Sequence, residues 1–248
     1  MSYRWGFDLF GSNLIAGLSW SLHGPDIAIL RYEEDDRPPV YFWSSVHLDE
    51  LTPGPELFAR AAALKVVFDG ALYLLTSSYR PDRLGDLYDM RSDKRVSAYE
   101  VAAGGDPFSS TIVRRPLDKD ARRLVSDQML EGAIYLARSD LAVRGMLTVL
   151  GTHGLTYASL YQLMDFLKTH GMSEDDIVAA AGSTKAELKR FTHTANNFAA
   201  IGPAGRHGDL GYQPPRKPMT IDEASALILP AAQRFIAKRI VATMKATS

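Results

Sequence analysis

Short apolar, β-favouring runs dominate the first part of the chain. They cover residues 14–20, 26–32 and 40–48, with Gly, Pro and acidic residues between them. Runs of this length that are bounded by such breakers predict β-strands. The second and third runs flank a charged segment that ends in Pro38 and Pro39, and this arrangement predicts a hairpin with a proline-stopped tip.

A long helix is predicted after these strands. Residues 52–56 read Thr-Pro-Gly-Pro-Glu, in which Thr52 is a candidate cap and a proline suits the first helical turn. Apolar residues then recur at helical spacing as far as about residue 76. Beyond this helix, residues 87–88 and 96–99 flank a polar turn and predict a second hairpin.

After residue 117 the apolar pattern becomes helical. It predicts one helix over residues 118–149, a second over 157–170 and a short third from Ser173. A Thr followed three residues later by Glu has the spacing of a capping box. This spacing predicts that two further helices begin at Thr184 and Thr220.

These patterns predict an α+β protein of two domains. An antiparallel β-rich domain with one long helix occupies residues 1–105, and an all-helical domain occupies residues 106–248. Residues 102–111, AAGGDPFSST, are the candidate linker between the domains because Gly, Ser and Pro are concentrated there.

The composition narrows the class of protein. The 248 residues are 46% hydrophobic and 23% charged, as in ordinary globular proteins. The net charge of −1 means that binding to nucleic acid or anionic lipid needs a local basic patch. The absence of cysteine excludes disulfides, thiolate nucleophiles and Cys-ligated metals, and we expect a bacterial, cytoplasmic protein.

The sequence predicts no membrane segment. The N-terminus lacks a basic region followed by an unbroken apolar core. The most apolar window, residues 57–75, contains Arg60, Lys65 and Asp69, each of which costs roughly 2.5–3.5 kcal/mol in a bilayer. This window therefore predicts a half-buried helix.

Residues 175–191 have the pattern of a helix-turn-helix unit. Apolar residues would pack the two helices together, and Gly182 would make the turn. The polar side chains on the second helix that face outward are Thr184, Lys185, Lys189 and Arg190. The pattern is compatible with nucleic-acid binding and equally with two packed helices of no special role.

The segment from residue 183 to 218 is basic. It has six Lys and Arg side chains against two acidic ones. The cations, which are the candidate nucleic-acid or anion-binding residues, are Lys185, Lys189, Arg190, Arg206, Arg216 and Lys217. A local basic surface of this kind can bind phosphate, although it can also be a solvated face paired with acids elsewhere.

The adjacent Arg206 and His207 suggest an alternative, enzymatic role. Arginine can hold a phosphate and histidine can transfer protons near neutral pH, as phosphodiester cleavage requires. His193 and Asn196 are candidates to support them. The other interpretation is that these side chains bond to backbone carbonyls and brace the loop. No histidine pair has metal-ligand spacing and no phosphate-binding Gly-rich loop is present, so we expect neither metal nor cofactor.

A spaced signature in the last third of the chain resembles the C-terminal helical module of a set of uncharacterised bacterial proteins. It consists of Thr194-Ala-Asn196, Gly202, Arg206-His207-Gly208, Pro214-Pro215, Pro218-Met219 and Glu223-Ala224. The resemblance implies a shared helical fold and no established activity. A looser resemblance is to the HEPN ribonucleases, helical dimers with an Arg, four to six residues and a His. The nearest spacings here are Arg190-x-x-His193 and Arg206-His207.

The sequence therefore leaves three functional hypotheses. The first is a non-enzymatic binding or regulatory protein whose basic helical domain recognises a protein partner or nucleic acid. The second is a metal-independent ribonuclease or phosphoesterase that uses Arg206 and His207. The third is a structural subunit of a homo-oligomer, which would bury its long amphipathic helices at the interface.

Overall fold

The computed structural model describes residues 3–10, 12–33, 37–96, 102–205, 211 and 213–246. The chain forms two compact units. Unit 1 consists of Met1–Val66 and Arg80–Ser139, and unit 2 consists of Val67–Tyr79 and Asp140–Ser248. A boundary between independently folding domains at residue 105 stays a prediction.

Unit 1 contains a five-stranded antiparallel sheet, which confirms the predicted α+β class. The strands are β1 Trp5–Leu9, β2 Ile27–Tyr32, β3 Val40–Ser45, β4 Leu87–Asp89 and β5 Lys94–Val96. Their spatial order is β2-β3-β1-β4-β5. Both predicted hairpins, β2–β3 and β4–β5, are present. The second strand of the β4–β5 hairpin begins at Lys94 rather than at residue 96, and the predicted strand residues 97–99 lie outside the described residues.

One face of this sheet forms the core of unit 1. Trp5, Phe7 and Trp43 are almost completely buried on it. The ring of Phe7 meets that of Phe58 edge-to-face at 5.5 Å, which packs the sheet against helix α2, Pro55–Leu75. Trp5 and Trp43 are therefore core residues.

The first predicted strand is wrong, because residues 14–20 belong to helix α1, Asn13–Ser21. The Ser12 side chain caps this helix by accepting a hydrogen bond from the backbone N–H of Ile15 at 3.2 Å. A short apolar run fits a strand and a packed helix equally well, and the cap signal lies two residues before the run.

The helix predicted over residues 118–149 is three separate helices. They are α4 Lys119–Asp127, α5 Met129–Ala137 and α6 Leu141–His153, and the short α3, Ser110–Val113, precedes them. Gln128 is extended and interrupts the first pair. Asp140 begins α6, since its carboxylate accepts hydrogen bonds from the N–H groups of Ala142 and Val143 at 3.0 and 3.2 Å.

All the secondary structure in the described part of unit 2 is helical. After α6 it contains α7 Tyr157–Thr169, α8 Glu174–Ala180, α9 Lys185–Ala195, α10 Phe198–Ile201 and α11 Ile221–Ala246. The predicted capping box at Thr220 and Glu223 is confirmed by reciprocal hydrogen bonds of 2.8 and 3.2 Å. The second part of α2, from Val67, also belongs to this unit, where Gly70 lies directly against the backbone of Leu147.

Candidate binding surfaces

The helix-turn-helix pattern corresponds to α8, a tight turn and α9. Gly182 makes the turn with φ +60°, a conformation that glycine adopts without a steric penalty. Four of the apolar side chains predicted to face inward are buried: Ile177, Val178, Leu188 and Phe191. The fifth, Ala181, is half-buried. The packing of the motif is thus confirmed, and its binding role stays a prediction.

Ion pairs neutralise two of the predicted binding cations. The Nζ atom of Lys185 lies 2.8 Å from Oδ1 of Asp175, and the Nη2 atom of Arg190 lies 3.2 Å from Oε1 of Glu223. The hydrogen bond and charge of Asp175 raise the pKa of Lys185. Residues 174–191 carry four acidic side chains against three basic ones, so this stretch has no net positive charge to attract a phosphate backbone.

The three remaining described cations are exposed and free of ion pairs within the described residues: Lys189, Arg216 and Lys217. Arg216 and Lys217 occupy a bend, with Pro215 before it and Pro218 after it. The candidates Arg206 and His207 lie outside the described residues.

The N-terminal end of this bend is fixed to α9 and α10. The carbonyl oxygen of Gln213 accepts two hydrogen bonds, one from His193 Nε2 and one from Asn197 Nδ2, each of 3.0 Å. A carbonyl only accepts, so Nε2 of His193 carries the proton. Asn197 also caps α10, since its Oδ1 accepts from the N–H of Ala200 at 3.0 Å.

Met219 fixes the C-terminal end of the bend. Its N–H donates to Thr194 Oγ1 at 3.0 Å, and its carbonyl accepts from the Tyr157 hydroxyl at 2.7 Å. The Met219 side chain is itself buried. Residues 213–219, hereafter the braced segment, are therefore held at both ends while the cations between them face solvent.

The catalytic candidates that the structure describes have structural positions. His193 uses Nε2 to hold Gln213, and Asn196 is the C-terminal cap of α9. The Oδ1 atom of Asn196 is buried and accepts no hydrogen bond among the described residues. A ribonuclease site at Arg206 and His207 stays a prediction.

Sequence reasoning missed a buried polar cluster in unit 1. His47 Nε2 lies 2.8 Å from Asp26 Oδ1, and Arg138 Nη1 lies 3.4 Å from the same oxygen. Arg138 also donates to the carbonyl of Ile112 at 2.5 Å. All three ionisable side chains are more than nine-tenths buried, so the cluster joins the start of β2, the end of β3 and the end of α5 inside the unit.

Both ring nitrogens of His47 are occupied. The backbone N–H of Ser109 donates to Nδ1 at 3.1 Å, so Nδ1 has no proton and Nε2 donates to Asp26. A histidine with no free nitrogen and no exposed atom does not serve as a general base. Phe108 and Ser109, which the sequence placed in the linker, are buried by this contact.

Glu131 is a second buried acid beside the cluster. Burial, and then the charge of Asp26, raise its pKa to about 8. Its carboxylate occupies the space where a side chain at Gly24 would lie, since a Cβ there would be 1.6 Å from Oε2. The Tyr3 hydroxyl donates to the Gly24 carbonyl at 3.2 Å, so this loop is held from both sides.

The face of the sheet opposite the tryptophans carries three aromatic rings in a row. Phe42 of β3 meets Tyr32 of β2 at a centroid distance of 5.5 Å and Tyr88 of β4 at 5.0 Å, both edge-to-face. Strand β1 lies between β3 and β4 in the sheet, and its residue opposite Tyr88 is Gly6. A Cβ on Gly6 would lie 2.8 Å from Met90 Sδ and 3.1 Å from the Cβ of Phe42. Glycine thus lets the rings meet. We call Tyr32, Phe42 and Tyr88 the aromatic trough.

No protein-family model, curated protein or solved structure matches this chain. The resemblances to the bacterial helical module and to the HEPN ribonucleases therefore stay predictions. Among the described residues, no helix is long and apolar enough to cross a membrane. That part of the chain also contains no group of three His, Asp or Glu side chains arranged around a common metal position.

Proposed function

We propose that this protein is a non-enzymatic binding protein whose helical unit recognises an acidic protein partner through the braced segment. The observation that carries the proposal is the attachment of this segment at both ends, with Arg216 and Lys217 exposed between its prolines. A segment that is already ordered loses little conformational entropy when it binds, so its two charges contribute more to affinity.

The charges favour a protein partner over nucleic acid. Among the candidate cations that the structure describes, three are free of ion pairs, which is few beside the roughly 6–10 phosphate contacts of a typical duplex-binding protein. Helix α9, which would enter the groove, has Glu187 and the acids of α8 beside its N-terminus. Lys189 lies one turn before His193 on α9 and extends the basic surface along the same helical face.

A binding experiment tests this proposal. A fluorescein-labelled peptide of alternating Glu and Ser, a labelled RNA, a single-stranded DNA and a duplex DNA are each titrated with the protein at two salt concentrations. We expect salt-sensitive binding of the acidic peptide and no change in the size of the nucleic acids. Tight binding of a nucleic acid with weak peptide binding would indicate nucleic-acid recognition instead of the proposed function. No binding of any probe would refute the proposal.

A further inference from the structure

The aromatic trough in unit 1 is open to solvent. Tyr32 is 48% exposed, and a cleft of about 290 Å³ lies over the three rings. Val40, Met90 and Pro38 complete its apolar wall. Phe42 itself is buried, whereas Tyr32 and Val40 are exposed, so an apolar patch faces solvent on the outer face of the sheet, as at many binding surfaces.

The spacing of the rings indicates the shape of the occupant. The two successive centroid distances of 5.5 and 5.0 Å run from Tyr32 across Phe42 to Tyr88. In a polyproline II helix every third residue lies on the same side, about 9.3 Å further along the axis. Prolines three residues apart can thus contact the two tyrosines while the residues between them pass over Phe42.

The charged side chains around the trough indicate the direction in which a peptide would bind. Arg37 lines the cleft near Tyr32, and Asp93 lines it near Tyr88. Asp93 belongs to the turn between β4 and β5, where its φ of 52° fixes the backbone. A peptide with an acidic residue at the Arg37 end and a basic residue at the Asp93 end is complementary to both side chains.

We propose that the aromatic trough is a docking site for a proline-rich peptide of a partner protein, bound in the polyproline II conformation. Its prolines lie three residues apart, and a basic residue follows at the Asp93 end. Recognition of preformed polyproline II segments by aromatic grooves has a low entropic cost, which suits a shallow site. The proposal is independent of the function proposed for the braced segment.

The braced segment itself is a poor occupant of this trough. Pro215 and Pro218 have the required spacing in the sequence. The chain bends at Arg216 and Lys217 between them, so the two prolines do not lie along one extended helix. The braced segment is therefore not the peptide that this site would bind.

The test uses a labelled peptide, Glu-Pro-Pro-Ala-Pro-Pro-Arg, and its reverse, because polyproline II segments can bind in either direction. A peptide with Gly in place of every Pro is the control for conformation. Anisotropy titrations with the whole protein are expected to detect one of the proline peptides and to miss the Gly peptide. Equal affinity for the Gly peptide, or no binding of either proline peptide at millimolar concentration, would overturn the proposal.

Variants of the trough locate the site. We expect Tyr32→Ala and Tyr88→Ala each to weaken binding about tenfold, as the loss of an aromatic contact at a small interface does. Asp93→Asn keeps a residue that tolerates positive φ and removes the charge, and it should weaken binding about threefold for an exposed ion pair. The matched control is Trp20→Ala, an exposed aromatic residue outside the cleft.

The trough variants are checked for folding by circular dichroism. Tyr32→Ala is the primary variant because its side chain is half exposed, so its loss leaves the core intact. Full affinity in this variant, or an equal loss in Trp20→Ala, would show that the peptide binds elsewhere and would overturn the assignment.

Discussion

The side chain of His193 donates a hydrogen bond from Nε2 to the carbonyl oxygen of Gln213, 20 residues further along the chain. Asn197 donates to the same oxygen at the same distance of 3.0 Å. Two donors on one carbonyl fix its direction more firmly than either does alone. Because Arg216 and Lys217 follow within four residues, this contact helps to determine where these two exposed cations lie.

Asn197→Ala should loosen the braced segment. The substitution removes the hydrogen bond to Gln213 and the cap of α10, at a cost of about 1–2 kcal/mol in the free energy of unfolding. Urea denaturation measures this loss, and the affinity for the acidic peptide should fall with it. Asn13→Ala, at an exposed position in the first turn of α1, is the control and should change neither quantity.

Gly70→Ala should destabilise the protein through a backbone clash. A Cβ at this position would lie 1.9 Å from the carbonyl oxygen of Leu147, and two packed helices must separate to admit it. We expect the free energy of unfolding to fall by ~3 kcal/mol, the upper end of the usual cost of overpacking. Gly17→Ala is the matched control, since nothing lies near its missing Cβ and alanine in a helix gains about 0.5–1 kcal/mol. Equal melting temperatures for the two variants would contradict this packing.

Glu131 should make the stability depend on pH. Burial raises its pKa in the folded protein to about 8, so between the ordinary glutamate pKa and 8 the folded state holds a proton that the unfolded state has lost. The free energy of unfolding is therefore highest below the ordinary glutamate pKa. As the pH rises from there to about 8, it falls by up to ~1.4 kcal/mol per pH unit because of Glu131. Denaturation curves of Glu131→Gln should lack this decline. An unchanged pH profile in the variant would show that other groups cause it.

Arg138→Ala should test the buried cluster. The substitution leaves the carboxylate of Asp26 buried without its cation, which costs about 3–5 kcal/mol. Arg123→Ala is the control, because its ion pair with Asp127 is exposed and worth less than ~1 kcal/mol. Thermal unfolding of both variants measures the difference. Similar small losses would mean that the cluster adds little to stability.

Local signals in the sequence were sufficient for most of the elements. The hairpins and the helix starts at Thr184 and Thr220 depend on residues close together in the chain, and the structure has them where their spacing indicated. Of these two threonines, only Thr220 forms the reciprocal hydrogen bonds of a capping box. The first strand was wrong because an apolar run of seven residues carries no period that separates strand from helix. The break at Asp140 was missed because a cap inside a long periodic stretch is easily taken for an ordinary polar position.

The binding surfaces were less predictable. The basic segment was visible as a local excess of Lys and Arg, but the pairing of Lys185 and Arg190 with acids of α8 and α11 depends on tertiary packing. The cluster of Asp26, His47 and Arg138 joins residues up to 112 positions apart, and nothing in their local spacing distinguishes them from surface residues. The aromatic trough required the strand order, which places Gly6 between the rings.

The most direct test of the proposed function is the affinity of the acidic peptide for the double variant Arg216→Ala/Lys217→Ala. Arg114→Ala/Lys119→Ala removes the same charge from exposed positions in unit 1 and is the matched control. We predict that the first variant binds at least about tenfold more weakly than the wild type at low salt and depends less on salt, as the loss of two contacts implies. The control should bind like the wild type. Equal weakening in both variants would mean that the peptide responds to overall charge, and it would contradict recognition by the braced segment.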